Sequence, residues 1–392
     1  MRSKETSSTP KKFIFKPNKS ITIIDTSILF IIIYIRSVNF IKDTASHTTP
    51  HAAPATTPAL AAAAALAGTT TTEIESINYE ELHNNARFMT YFKDTFIQYI
   101  LNTINKIDPN SDIYNVVFAK DTPLERNWRK LEVYSDYKSG RLKPSSAAST
   151  SKKLVEIYNR DVYKYFTNKL LPKIAIDYGI KIAYYEPLEA DDIIYLMTKR
   201  IRELYPDTRI NIITNDRDYL QILDIKTYIY KTNGTLLEND NTVSDSLFDK
   251  SIKILSGDVS DNIKPVYKGC GESVAYTLLK KLYLTKGDLA HASARKDEDM
   301  LEEQLLVRKQ YLGEMFQHDL YQIPELSRKI YNKLSKIMQS KSEITAETIS
   351  NNIDLNARLI DLDRIPTKYK EAFYKKYNLT ISNRSSRIHR SA

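Results

Sequence analysis

Nine acidic side chains occur in short groups along this sequence of 392 residues, and their types and spacing could support metal chemistry. Most of them stand just past the ends of predicted β-strands, and the last two lie in a glycine-marked turn. They are Asp25, Asp121, Glu189, Asp191, Asp192, Asp216, Asp218, Asp258 and Asp261. Carboxylates gathered at the carboxyl ends of neighbouring parallel strands repel one another unless cations lie among them. Hard divalent cations take oxygen ligands, and two such ions side by side suit phosphodiester hydrolysis.

The group at residues 189–192 has a simpler explanation. Acidic residues are common in the first turn of a helix, where they interact favourably with the helix dipole. A second group, Asp216 and Asp218, follows the next predicted strand at an alternating spacing that lets both carboxylates face one site. The recurrence favours a shared metal site, while the residues alone leave the helix-start explanation open.

Alternating apolar patterns predict an α/β domain that would position these carboxylates. The predicted strands span residues 20–24, 113–118, 180–184, 209–213 and 226–230. The predicted helices span residues 28–38, 87–107, 153–178 and 189–204, and the pattern beyond residue 244 is helical almost to the end. Residues 1–19 and 381–392 are predicted to be disordered tails. Residues 44–77 are rich in Thr, Ala and Pro, and we expect a flexible insertion because so few large apolar side chains cannot bury enough surface.

The overall charge narrows the class of partner. The net charge is +9 and the isoelectric point is near 9.1. Because the nine acidic residues are expected to crowd into one site, the rest of the surface is more basic than these totals indicate. This balance favours nucleic acid over an acidic small molecule, although a solvated lysine-rich surface would have the same composition. The single cysteine, Cys270, excludes an intrachain disulfide and a cysteine zinc site, and favours an intracellular, reducing compartment. The longest apolar run, residues 28–35, is shorter than the roughly 18 to 20 residues that span a bilayer, so we predict a core helix and no membrane partner.

Two further segments carry residue types that bind nucleic acid. Cations stand beside aromatic rings at Trp128 and Arg129, and again at Tyr137, Lys138 and Arg141. Cations of this kind contact phosphates while rings stack on bases, but a solvated basic surface with half-buried rings would look the same.

The second segment is a glycine pair before a predicted helix. Only nine glycines occur in the chain, yet Gly269 and Gly271 follow Lys268 directly and precede a helix that begins near Ser273. Free amide groups at such a helix start could bind a phosphate. An isolated Gly-x-Gly is equally typical of an ordinary turn.

Taken together, these motifs resemble the flap endonuclease or 5′-3′ exonuclease family. The matching segments are residues 137–141, Glu189-Ala190-Asp191-Asp192, Asn215-Asp216-Arg217-Asp218-Tyr219-Leu220-Gln221 and Gly257-Asp258-Val259-Ser260-Asp261-Asn262-Ile263. Residues 24–27, 128–129 and 359–366 are similar to the ribonuclease H branch of T-even bacteriophages. The sequence departs from the family pattern at the insertion and at Asp121, which Ala119 and Lys120 separate from the predicted strand, whereas relatives often place this residue directly after it.

The resemblance implies a PIN-like fold: a central mixed, mainly parallel sheet flanked by helices in a catalytic domain over residues 20–243. It also implies a helical arch over residues 122–152 and a helical lobe over residues 244–380 with a helix-hairpin-helix (H3TH) element. By the same resemblance, two Mg²⁺ ions, or Mn²⁺ in their place, would bind the nine carboxylates. Asp25, Asp121, Glu189 and Asp191 would hold one ion, and the second would be served by Asp192, Asp216, Asp218, Asp258 and Asp261.

Roles for the remaining residues also follow from the resemblance. Lys138 and Arg141 would neutralise charge on the scissile phosphate, and Arg129 would contact nucleic acid. Trp128 and Tyr137 would stack on a frayed terminal base or brace the arch. Four residues around the glycine pair would bind the duplex: Lys268, Gly269, Gly271 and Ser273. A K⁺ ion would bind nearby.

The implied activity is structure-specific hydrolysis near the 5′ ends of DNA or RNA–DNA, as a monomer, in RNA primer removal during DNA replication. Single-strand-binding or other replication proteins would be its partners. Two alternatives stay open: a 5′ exoribonuclease that acts mainly on RNA, and a non-catalytic scaffold that binds DNA junctions. The complete set of nine carboxylates argues against the scaffold, because a binding module gains nothing from holding like charges together.

Overall fold

The computed structural model describes residues 11–46, 79–139, 161–223, 226–237, 246–283 and 345–381, together with residues 328 and 332. Most of the predicted insertion and the far part of the predicted arch, residues 140–152, lie outside these ranges. Helix α1 extends to Ser46, so the prediction of an insertion from residue 44 starts too early.

A five-stranded parallel sheet forms the centre of the described chain. Its strands are β2 (Ile21–Asp25), β3 (Val116–Ala119), β4 (Lys181–Ala183), β5 (Ile210–Ile213) and β6 (Thr227–Tyr230), in the spatial order β4-β3-β2-β5-β6. The short apolar runs of β3 and β5 are buried throughout, as expected for parallel strands covered on both faces. The predicted α/β fold is confirmed. Within the described residues every pairing between the strands of this sheet is parallel, so it is not mixed.

Helices cover both faces of this sheet. The first face carries α1 (Thr26–Ser46), α2 (Ala86–Ile107), α3 (Asp161–Tyr165) and α4 (Leu171–Tyr178), the last two joined by a π-helical turn (Phe166–Leu170). The other face carries α5 (Ala190–Leu204) and α9 (Thr367–Lys376). The apolar run at residues 28–35 lies in α1 and packs into the core on the first face of the sheet, as predicted. None of the helices in the described residues is long and apolar enough to cross a membrane.

The two ends of the described chain pair with each other. Strand β1 (Lys11–Phe15) runs parallel to β7 (Tyr377–Ile381), and the rings of Phe13 and Phe15 lie in the same core as α5. The prediction of a disordered tail over residues 1–19 is therefore wrong from Lys11 onward. The prediction of helix almost to the end is wrong at residues 377–381, because each strand is stabilised by a partner at the opposite end of the chain.

Three helices form a separate core beside the sheet. They are α6 (Ser246–Ser256), α7 (Glu272–Tyr283) and α8 (Ala346–Ile360). Buried Cys270 fills an apolar position in this core, as predicted, and Tyr137 also packs there. The predicted lobe boundary at residue 380 is wrong, since Phe373 of α9 and Tyr377 of β7 pack into the core of the five-stranded sheet instead.

Candidate metal centre and nucleic-acid interface

The strand register brings the first two predicted ligands together. Asp25 ends β2 opposite Ala119 of β3, and Asp121 follows two residues later. The Asp121 carboxylate accepts a hydrogen bond from the backbone amide of Ala190 at 2.8 Å and another from the hydroxyl of Ser27. Asp121 therefore lies between the end of β3 and the start of α5, although two residues separate it from Phe118.

Asp25 lies among like charges in this site. Its carboxylate accepts hydrogen bonds from the Tyr219 hydroxyl at 3.3 Å and from the backbone amide of Ser27 at 3.1 Å. Burial, together with the negative charges of Asp121 and Asp216, raises the pKa of Asp25 to about 7 against the effect of those hydrogen bonds. A carboxyl group with so high a pKa marks a place where a cation would relieve the repulsion.

Asp191 is in a similar position at the start of α5. Burial raises the pKa of Asp191 well above its usual range, and the neighbouring charge of Asp192 adds to the effect. A first-turn residue that only complemented the helix dipole would have its pKa lowered, not raised. The electrostatics therefore favour the metal explanation over the helix-start explanation for Asp191.

Glu189 is instead compensated by cations. Its burial alone would raise the pKa, but Lys138 and Arg129 lower the pKa of Glu189 to about 2. The ammonium of Lys138 contacts Glu189 directly and lies 3.7 Å from Asp261. The Tyr137 hydroxyl donates to Glu189 at 3.0 Å and to Asp261 at 3.2 Å, so the described part of the predicted arch joins these two carboxylates.

A second lysine compensates the other end of the site. The ammonium of Lys253 contacts Asp218 and lies 2.8 Å from Asp258. Burial, together with the charge of Asp216, raises the pKa of Asp218 to about 6 against the effect of Lys253. For Asp258, burial is outweighed, and Lys253 with Ser260 lowers the pKa to about 2. Our sequence interpretation missed Lys253, although it stands one helical turn before Gly257, where the motif that contains Asp258 begins.

The turn that carries Asp258 requires its glycine. Gly257 has a φ of +71°, and a Cβ atom there would lie 2.4 Å from the carbonyl oxygen of Ile263. Any other residue would strain this turn and displace the carboxylate. The position of Asp258 thus depends on a backbone conformation that the glycine makes accessible.

The structure therefore brings eight of the nine carboxylates into one continuous arrangement. Each influences the pKa of a neighbour or shares a hydrogen-bonding partner with it. We call this set the acidic cluster: Asp25, Asp121, Glu189, Asp191, Asp216, Asp218, Asp258 and Asp261. Its donors are all oxygen atoms and several of its carboxyl groups have raised pKa values, which fits hard divalent cations.

Asp192 has a different role from the one that the sequence predicted. An oxygen atom of Asp192 lies within 4.8 Å of ligand atoms of Glu189 and Asp191, but the side chain is fully buried. Its two oxygens accept bidentate hydrogen bonds from Arg129 at 2.7 and 2.9 Å, and one also accepts from the Trp128 indole at 2.9 Å. These donors occupy the oxygens that a metal ion would need, so Asp192 is a buried ion-pair partner.

Three predicted nucleic-acid contacts are also wrong. The side chains of Trp128, Arg129 and Tyr137 are 1%, 1% and 2% exposed, so none can stack on a base or reach a phosphate. Their polar atoms bind carboxylates of the site instead. The alternative prediction, that Trp128 and Tyr137 brace the arch, agrees with these contacts.

The other predicted nucleic-acid residues stay predictions. Arg141 lies outside the described residues, while Lys138 keeps 14% of its side chain exposed at the rim of the acidic cluster. Lys268, Gly269, Gly271 and Ser273 are exposed around the start of α7, and Gly269 has a φ of +94°. We call residues 268–273 the glycine turn.

Comparison with known proteins agrees with this geometry. Residues 76–249 match the family model of the 5′-3′ exonuclease, N-terminal resolvase-like domain. This stretch includes Asp121, residues 189–192, Asp216 and Asp218. That part of the chain is therefore a resolvase-like, PIN-type domain of the 5′-3′ exonuclease family, as the sequence predicted.

A search of solved structures also matched this chain to a bacteriophage nuclease. The flap endonuclease of bacteriophage T5, in a complex with DNA and metal ions, matches with a TM-score of 0.47 and 16% identity, over 91% of this chain and 97% of that chain. The T5 5′-exonuclease with zinc ions matches with a TM-score of 0.40 and 13% identity over the same shares. A search of curated proteins found no match. Since both TM-scores are below 0.5, the family assignment depends on the family model.

Proposed function

We propose that this protein is a divalent-metal-dependent nuclease that cleaves phosphodiesters near the 5′ ends of DNA and RNA–DNA, at free ends and at 5′ flaps. The acidic cluster is the observation that carries the proposal. Its carboxylates lie together beside the carboxyl ends of parallel strands, in a domain that matches the 5′-3′ exonuclease family model. Holding such charges together is costly unless cations bind there.

The acidic cluster divides into two halves that would each hold one ion. Asp25, Asp121, Glu189 and Asp191 form the first half. Asp216, Asp218, Asp258 and Asp261 form the second half, from which Asp192 is now excluded. When bound, two Mg²⁺ or Mn²⁺ ions would supply an activated water and stabilise charge on the attacking and leaving oxygens.

Lys138 is the residue of this chain best placed to act on the scissile phosphate. Its ammonium lies between Glu189 and Asp261 at the rim of the acidic cluster, where 14% of the side chain remains accessible. A fixed positive charge at this place would stabilise the negative charge that develops on the phosphate. Arg141, three residues further along the arch, would assist it.

Duplex binding would involve the glycine turn. Lys268, Gly269 and residues 271–273 of this turn are exposed, and a helix start with accessible amide groups binds phosphate without reading sequence. In this proposal a K⁺ ion contributes to the same contact, as part of a helix-hairpin-helix element. Substrate choice would then depend on the structure of the nucleic acid.

We place this activity in RNA primer removal at sites of DNA replication, in a monomer that works beside single-strand-binding proteins. The resemblance to the T-even bacteriophage ribonuclease H branch supports this role. The similarity at residues 24–27, 128–129 and 359–366 is the basis for that branch assignment.

The experiment is a cleavage assay with Mg²⁺ on three end-labelled substrates: a 5′ flap, a nicked duplex and an RNA-primed duplex. We expect cleavage near the 5′ ends that EDTA abolishes. Turnover of RNA alone above all three would favour the 5′ exoribonuclease. Tight binding of the flap with no cleavage of any substrate would overturn the proposal and favour the junction-binding scaffold.

A further inference from the structure

The end of helix α8 contacts the two halves of the acidic cluster through different side chains. Residues 359–362, which we call the α8 turn, contain buried Leu359 and Leu362 and lie far from the catalytic strands in sequence. This is part of the C-terminal segment whose sequence pattern has no role in the proposed chemistry. The α8 turn is anchored to α6 by an ion pair of 2.8 Å between Lys250 and Asp361, both largely buried.

Arg129 connects the α8 turn to the first half. Its Nε donates a hydrogen bond to the carbonyl oxygen of Leu359 at 2.8 Å, and one terminal nitrogen lies 3.1 Å from Glu189. Asp192 fixes the same guanidinium from the other side. A guanidinium holds its donors in one rigid plane. The hydrogen bond from Arg129 to the Leu359 carbonyl oxygen therefore also determines where the same guanidinium holds Glu189.

Gln221 connects the α8 turn to the second half. Its side-chain amide donates to the carbonyl oxygens of Ile360 at 3.3 Å and Asp218 at 3.0 Å. The side-chain oxygen of Gln221 accepts from the backbone amide of Leu362 at 3.1 Å. One half-buried amide thus ties the backbone of Asp218 to two residues of the α8 turn.

We infer that the α8 turn is a positioning element that sets the distance between the two halves of the acidic cluster, with Arg129 and Gln221 as its positioning residues. The inference rests on the proposed function. Repulsion between the halves tends to spread them apart, whereas two ions that share one phosphate need ligands at a fixed spacing. Contacts through adjacent residues of one buried turn would hold that spacing before metal arrives.

The test uses Gln221→Met, which keeps the length of the side chain and removes its hydrogen bonds. We expect Mn²⁺ binding without nucleic acid, measured by calorimetry, to weaken by about 10- to 100-fold, the usual effect of losing a partner that orients metal ligands. In the cleavage assay kcat should fall by a similar factor, while KM for the flap should change less than about twofold.

The matched control is Asn352→Leu. It removes a half-buried amide that donates to the carbonyl oxygen of Val266 at 2.9 Å, within the helical core and away from the acidic cluster. We expect a comparable loss of thermal stability and unchanged Mn²⁺ binding. All measurements are made well below the unfolding temperature of each variant.

Arg129→Lys is the second variant, and it carries the test by itself if Gln221→Met does not fold. Lysine retains the charge opposite Asp192 but cannot reach Leu359, Glu189 and Asp192 together. We expect weaker Mn²⁺ binding here too, and a combined effect with Gln221→Met that is smaller than the sum, because either loss alone frees the spacing.

One outcome would contradict the inference and another would contradict the proposed function, and the two can be told apart. Wild-type Mn²⁺ affinity and kcat in folded Gln221→Met or folded Arg129→Lys would overturn the inference while the wild-type protein still cleaved flaps. Absence of both Mn²⁺ binding and cleavage in the wild-type protein would overturn the proposed function itself.

Discussion

At the residue scale, the charges of the acidic cluster are balanced at its two ends and unbalanced at its centre. Lys138 lies between Glu189 and Asp261, and Lys253 lies between Asp218 and Asp258. Between them, burial and neighbouring carboxylates raise the pKa values of Asp25 and Asp191. The centre is therefore where divalent cations would stabilise the protein most.

The first prediction concerns a carboxylate at this centre. Asp191→Asn should lower kcat by about 100-fold or more, because a neutral amide is a poor ligand for a hard cation. Binding of a DNA flap in Ca²⁺ should be unchanged, as the proposed duplex contacts lie elsewhere. Asp216→Asn should behave in the same way.

Asp207→Asn is the control for that prediction, because the Asp207 side chain is 95% exposed and pairs only with Lys226 among the ion pairs of the described residues. It should cleave normally. Loss of flap binding in a folded Asp191→Asn protein would count against the metal assignment.

The second prediction at this scale concerns pH. Burial, together with the charge of Lys16, lowers the pKa of Lys181 to about 8 against the opposite effect of Asp112. The unfolded chain, where the pKa is near 10.5, then binds more protons than the folded chain between about pH 8 and 10.5. The contribution of this group to stability should therefore rise with pH in that window.

Urea unfolding at a series of pH values, compared between the wild-type protein and Lys181→Met, isolates this contribution. The difference in free energy of unfolding between the two proteins should change in favour of the wild type as the pH rises from 8 to 10.5. A difference that stayed constant across the window would show that the ammonium is as well solvated in the folded protein as in the unfolded chain.

At the element scale, the start of helix α5 is held by a buried ion pair. Arg129 and Asp192 are both almost completely buried, and the amide of Glu189 also donates to Asp192 at 3.1 Å. Such a pair offsets a large desolvation cost, so losing one partner leaves an uncompensated charge in the core.

We predict that Asp192→Asn lowers the free energy of unfolding by about 3 to 5 kcal/mol, because it strands the Arg129 guanidinium. Chemical denaturation of the metal-free protein measures the loss. The double variant Arg129→Met with Asp192→Leu should recover most of the stability, because neither member of the Arg129–Asp192 pair is left without its partner. If Asp192→Asn were as stable as the wild type and only bound Mn²⁺ more weakly, Asp192 would be a metal ligand after all.

At the scale of the whole molecule, the two ends of the described chain close the catalytic domain. The pairing of β1 with β7 places Phe13 against Tyr377, with ring centroids 4.9 Å apart, and buries Phe15 in the core that also contains α5. The described C-terminal segment thus contributes both the α8 turn and a part of the catalytic core.

Phe15→Ala should lower the free energy of unfolding by about 3 to 5 kcal/mol, the usual cost of a cavity left by a buried ring. Ile14→Ala is the matched control on the same strand, where the side chain is 48% exposed and the cost should be below about 1 kcal/mol. Thermal and urea unfolding of both variants check the pairing. Equal stability of Phe15→Ala and wild type would mean that β1 does not contribute to the core.

The sequence by itself determined the elements of the catalytic sheet and the places of its acidic motifs. Apolar runs and helical spacing are local properties, so the strands near Asp25, Asp121 and Asp216 could be predicted with small errors at their ends. The parallel order then brought the carboxylates together without further information, because the carboxyl ends of parallel strands share one edge.

Only the tertiary structure decided which polar side chains face inward. Trp128 and Arg129 have residue types common on a nucleic-acid-binding surface, and Asp192 has a type common in metal sites. All three are buried because their partners come from other elements. The pairing of β1 with β7 and the contacts of Gln221 with the α8 turn are likewise set between residues distant in sequence. A local pattern contains no information on such partners, since their stability depends on groups that only the fold brings together.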